Sequence, residues 1–168
     1  MNHFHAHAKQ AGLALCLLSL ITFKAWPQTA DTARTTAAEA LAAYARFALA
    51  PEQNLKEAPI FLGYMQSGAV HAVLNANLLF WMYRPFPPDV QAVLYAAYMG
   101  GNLHSQLETH KQGDDPAAGM SAAIDAYAGL KETHADLKIA EFEQLLEAQR
   151  AGNLASAVDA LASGVKAP

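Results

Sequence analysis

The chain has 168 residues and a mass of 17.9 kDa, with 53% hydrophobic and 15% charged residues. That length suits a single domain, and a charged fraction well under the roughly 25% of average usage argues for a buried core rather than disorder. A formal net charge of −4 and a pI near 5.9 leave no basic surface to neutralise phosphates, which excludes a dedicated nucleic-acid binder.

The first ten residues carry one positive charge, Lys9, and no acid, and the uncharged run from Ala11 to Phe23 follows. This is the n-region and h-region pattern of a secretory signal peptide, and the run is too short for the roughly 20 residues a spanning helix needs. Residues 1–30 are therefore expected to be a signal peptide cleaved near Ala30, 31–35 a polar linker and 36–164 a single helical domain. The only cysteine, Cys16, falls inside the h-region. Bulky Leu15 precedes it where a lipobox has a small residue, so lipid attachment is disfavoured. Loss of the segment would remove Lys9 and Lys24, leaving nine basic residues against fifteen acidic ones, with no thiol. The expected location is periplasmic or secreted.

Past the segment, apolar residues recur at helical spacing, Pro and Gly punctuate them, and no alternating strand pattern appears. Thr36-Ala37-Ala38-Glu39 is a capping box opening an Ala-rich helix, with Leu41, Tyr44, Ala45 and Ala48 on one stripe and Pro51 at its end. Pro59 suits a first helical turn, and a second long helix is predicted to Tyr83, with Phe61, Met65, Ala69, Ala72, Ala76, Leu79 and Tyr83 on its apolar side. Pro85, Pro87 and Pro88 break it. A third helix is predicted from Val90 to Gln112, with Gly100-Gly101 as a possible kink and Gly113 as its stop. Asp115-Pro116 opens a fourth, carrying Met120, Ile124, Tyr127 and Leu130. Asp136 caps a fifth, carrying Ile139, Phe142 and Leu146, and a short sixth carries Leu154, Ala157, Val158 and Leu161. The fold class expected is all-α, a compact bundle of five to six helices after the signal peptide.

Charge is spread very unevenly. From Ala58 to Leu107 only Arg84 and Asp89 are charged, whereas Glu108 to Arg150 holds thirteen charges. Three readings of the weakly charged 58–107 hairpin compete. It can be a central hairpin packed inside the bundle, with Gln66, Ser67, His71, Asn75 and Asn77 hydrogen-bonded. It can be a surface for another protein or for self-association, because interface cores are poor in charge and rich in aromatics. A membrane hairpin is the weakest of the three, since five strongly polar side chains would need partners in lipid. Phe80, Trp81, Tyr83, Arg84 and Phe86 are the predicted partner-binding residues, because Trp, Tyr and Arg dominate binding hot spots.

Chemistry is sparsely indicated. His104 and Glu108 stand at i and i+4, a spacing compatible with metal ligation, and with His71 they are the weak metal candidates. No H-E-x-x-H, C-x-x-C-H, G-x-S-x-G or phosphate-binding glycine loop occurs. No catalytic residue and no cofactor is therefore assigned. The expected function is protein–protein interaction by an exported small helical protein, either an inhibitor or immunity-like protein or a subunit of an envelope assembly. The alternative is a cofactor- or metal-binding helical bundle.

Overall fold

The computed structural model describes residues 35–110 and 113–164. The expected signal peptide, residues 1–30 with Cys16, and most of the linker lie outside the described residues. Among those described there are six α-helices, two short 3-10 turns and no strand, as the all-α reading requires.

Helix α1 spans Ala37–Leu49 and starts at the expected capping box. The Glu39 amide donates to Thr36 Oγ1 at 3.2 Å and the Thr36 amide donates to Glu39 Oε2 at 2.8 Å, which satisfies two otherwise orphaned donors. Its buried face is turned from the expected stripe: Ala40, Ala43 and Phe47 are buried, Leu41 and Tyr44 are half-buried, and Ala45 and Ala48 are exposed. In so Ala-rich a helix the one large ring that is fully buried, Phe47, sets the orientation. A 3-10 turn, Leu55–Glu57, leads into α2, Ala58–Gln66, which has Pro59 in its first turn and buries Phe61 and Met65.

The expected helix to Tyr83 is not formed. It stops after Gln66, and residues 67–79 cross the surface as an irregular segment before a 3-10 turn, Phe80–Tyr83. Gly68 adopts φ +82°, in the left-handed region that side chains disfavour. Further on, the Asn77 amide donates to Asn75 Oδ1 at 2.8 Å, a local turn that competes with helical bonding.

Helix α3, Pro88–Thr109, runs through Gly100 and Gly101 without a break. It ends earlier than expected, at a left-handed His110 (φ 53°) rather than at Gly113. Helix α4, Pro116–Thr133, begins as expected, with the Asp115 side chain accepting from the Ala118 amide at 3.3 Å. Helices α5, Ala140–Arg150, and α6, Leu154–Ala162, follow. Ile139, not Asp136, holds the N-cap position of α5, and no side chain caps that end.

The α3 and α4 pair is the most extensive helix contact; α1 and α2 lie against α3, while α5 and α6 lie against α4. Glycines bring the central pair close. A Cβ on Gly101 would sit 2.6 Å from the Ala122 Cβ and 2.7 Å from the Ala118 carbonyl oxygen, and one on Gly119 would sit 2.8 Å from the Tyr98 carbonyl oxygen. The start of α3 and the end of α4 meet at one end of the bundle, and the turn that follows α1 arrives there too, since Glu52, Asp89 and His134 lie together. A core of aromatic and aliphatic side chains surrounds these helices, including Phe47, Phe61, Trp81, Tyr98, Tyr127 and Phe142.

Candidate functional site

The weakly charged segment divides into an inner and an outer part. Trp81 is wholly buried, packed edge-on to Phe80 at 5.1 Å between ring centroids and against Phe142 at 5.2 Å and Tyr98 at 6.3 Å. It is a core residue, with no surface to offer a partner, because the 3-10 turn points it inward between α3 and α5. Gln91 fixes that turn by donating from Nε2 to the Trp81 carbonyl at 3.0 Å and to the Arg84 carbonyl at 2.8 Å. Arg84 forms a forked ion pair with Glu141 of α5, one arm measuring 3.0 Å, and its guanidinium lies 5.8 Å from the Phe80 ring centre. Phe80 and Phe86 are half-buried against the core. Of the five predicted contact residues, Tyr83 alone is a large apolar side chain left open, at 72% exposure.

Residues 67–79 add two further exposed apolar side chains. Val73 and Leu74 are adjacent and 61% and 59% exposed, while Val70, Leu78 and Leu79 on either side are buried. The backbone between those anchors is held by side-chain amides. Gln106 of α3 accepts from the His71 amide at 3.0 Å through Oε1 and donates to the His71 carbonyl at 2.6 Å through Nε2. Asn75 and Asn77 both donate to the Ala162 carbonyl at the end of α6, at 3.2 and 3.1 Å. The uncharged polar residues of this stretch are thus partners of the backbone, and His71 contributes its main chain rather than its ring.

Behind Gln106 the network continues through buried Asn102, which takes a bond from Gln106 Nε2, accepts the Asp115 amide at 3.2 Å and donates to Asp114. Ser105 Oγ donates to Asp115 at 2.6 Å. That hydroxyl is committed to holding the start of α4, so the sequence neighbours His104 and Ser105 do not form a nucleophile and base.

His104 and Glu108 are both exposed and line a groove of about 590 Å3 between α1, α3 and α4, together with Tyr44, Ser121 and Asp125. The His104 ring packs 5.7 Å from that of Tyr44, and burial beside Asp125 pushes the Tyr44 hydroxyl up to about 12. Among the described residues, no third ligand joins the expected His104 and Glu108 pair, and His71 is not brought to them. Among the described residues, the one grouping of three metal-ligating side chains is Glu52, Asp89 and His134, whose donor atoms lie within 4.8 Å of one another. It sits at the end of the bundle where α1 and α4 finish and α3 starts. His134 Nε2 is 2.9 Å from Glu52 Oε1, and Thr133 Oγ1 donates to Glu52 Oε2 at 2.8 Å. The bonds from Thr133 and His134 hold the Glu52 carboxyl below the usual carboxylate range, against the opposing charge effect of Asp89. Nothing in the sequence spacing signals this trio, because its members come from three separate segments.

No known protein family matches the chain, and no curated protein or solved structure matches it. None of the described helices is long and apolar enough to cross a membrane.

Proposed function

We propose that this is an exported binding protein that engages another protein through the 67–83 surface, with Val73, Leu74 and Tyr83 as its apolar contacts. The observation that carries the reading is the pairing of exposure with restraint. Two adjacent aliphatic side chains stand in solvent on a segment whose backbone is tied to α3 by Gln106 and to α6 by Asn75 and Asn77. A loop ordered before binding loses less conformational entropy on association than a mobile one. Absence of charge on the segment lowers the desolvation cost of covering it. Export is supported by the n-region and h-region pattern of residues 1–30. An inhibitor or immunity-like role and a place in an envelope assembly both use such a surface.

The test is affinity capture from an envelope fraction, with sedimentation of the purified protein to detect self-association. Val73→Ser with Leu74→Ser is expected to abolish the captured species or the oligomer while the circular dichroism spectrum is unchanged. Leu49→Ser, 85% exposed at the end of α1, is expected to leave binding intact. Binding that survives the double substitution, or that is lost equally in the Leu49 variant, would overturn the reading.

A further inference from the structure

The geometry points to a divalent transition-metal site, of the Zn2+ class, formed by Glu52, Asp89 and His134. One imidazole and two carboxylates converge from the turn after α1, the first turn of α3 and the C-cap of α4. Three protein donors with a fourth position left to water is the usual composition of an open zinc site. Imidazole in the set favours Zn2+, Cu2+ or Ni2+ over Mg2+ and Ca2+, which take oxygen donors and more of them.

The distances suit the assignment. Ligands about 2.0–2.2 Å from a tetrahedral ion lie about 3.4 Å from each other, and here no donor pair is more than 4.8 Å apart. All three side chains are exposed or half-exposed, so rotamer adjustment can close the remaining gap without moving a helix. Support around the ligands is already present. Thr133 occupies one oxygen of Glu52 and turns the other toward His134, the arrangement by which an outer hydrogen bond orients a ligating carboxylate. The His134 backbone is fixed by its amide donating to the Leu130 carbonyl at 2.8 Å and by its carbonyl accepting from the Leu137 amide at 2.9 Å. The Asp89 side chain has neither a hydrogen bond nor an ion pair among the described residues, and it stands against a second carboxylate, Glu52, whose charge it opposes. A bound cation relieves that repulsion. It also joins three segments that are distant in sequence.

The experiment is calorimetric titration of the purified full chain with ZnCl2, paired with a thermal melt with and without the ion. Because His3, His5 and His7 add imidazoles in the sequence, both are done with these three replaced by Ala. The expected result is one ion per chain, a raised Tm with Zn2+ and none with Mg2+ or Ca2+. Asp89→Asn and His134→Gln, near-isosteric changes at the surface, are each expected to weaken binding roughly 100-fold, and Thr133→Val roughly 10-fold, while His104→Ala leaves it unchanged. No binding at millimolar Zn2+, or binding that is insensitive to Asp89→Asn and His134→Gln, would overturn the assignment. Loss with His104→Ala instead would place the ion in the α1, α3, α4 groove and equally refute it.

Discussion

Replacing Gly101 by Ala tests the close approach of α3 and α4 against the intrinsic preference of a helix for Ala. In an unobstructed helix interior Ala is favoured over Gly by about 0.5–1 kcal/mol. At Gly101 the added Cβ would lie 2.6 Å from the Ala122 Cβ and 2.7 Å from the Ala118 carbonyl oxygen, whereas carbon atoms in good contact are about 3.5–4.0 Å apart. One obstacle is backbone and the other is a methyl group with no rotamer, so the helices themselves must separate. Overpacking of this kind costs about 1–3 kcal/mol, which exceeds the propensity gain. Gly129, on α4, is the matched control, since a Cβ there meets nothing within 4 Å. Urea denaturation monitored by circular dichroism is expected to give Gly101→Ala about 1–2 kcal/mol less stable than the parent and Gly129→Ala about 0.5–1 kcal/mol more stable. In a chain of this size the two melting temperatures should then differ by roughly 4–10 °C. If Gly101→Ala were stabilised to the same extent as Gly129→Ala, the close α3–α4 packing would be refuted.

Two tyrosines make opposite predictions. Tyr127 OH donates to Glu143 Oε1 at 2.7 Å and accepts from the buried Ile139 amide at 3.1 Å, so Tyr127→Phe orphans a buried donor and should cost about 1–3 kcal/mol by chemical denaturation. Tyr98 OH is buried without a hydrogen-bond partner among the described residues, and Tyr98→Phe should be neutral or stabilising by up to about 1 kcal/mol; a large loss there would show the hydroxyl to be bonded. The Glu143 carboxyl is held below its usual range by the Lys131 ammonium and then by the Tyr127 hydroxyl, 2.7 Å away in each case. A lowered folded-state value means that this contribution is complete above the unfolded carboxyl's pKa, near 4.3, and is lost as pH falls through the lower folded value. Lys131→Met should therefore reduce the drop in stability between pH 5 and pH 3 in denaturation curves, and an unchanged acid slope would show the pair to be inert.

The sequence was most informative where a single residue has a local, stereochemical effect. Thr36 and Glu39 announce the start of α1, Asp115-Pro116 the start of α4, and the absence of alternating patterns the lack of strands among the described residues. Periodicity misled where apolar residues are so dense that any register looks amphipathic. Ala69, Ala72, Ala76 and Leu79 satisfy a helical stripe, yet Ser67-Gly68 and the Asn75, Asn77 pair are turn-forming chemistry and decide the local structure. The restraint on that loop comes from Gln106 and Ala162, far along the chain, and no local pattern reveals it. Residue type alone marks Trp81 as a contact, but composition cannot distinguish an interface aromatic from a core one; the inward turn at 80–83 does. His104 and Glu108 are paired only by their spacing along one helix. The trio of Glu52, Asp89 and His134 arises only when helix ends meet in space.

The most direct measurement of the proposed binding surface is site-specific photo-crosslinking in intact cells, with a benzophenone amino acid placed at Leu74 and, separately, at Leu49. The account predicts a discrete adduct from position 74, either with a second protein or with another copy of the chain, and none from position 49, although Leu49 is the more exposed of the two. No adduct from position 74, or the same adducts from both positions, would contradict it.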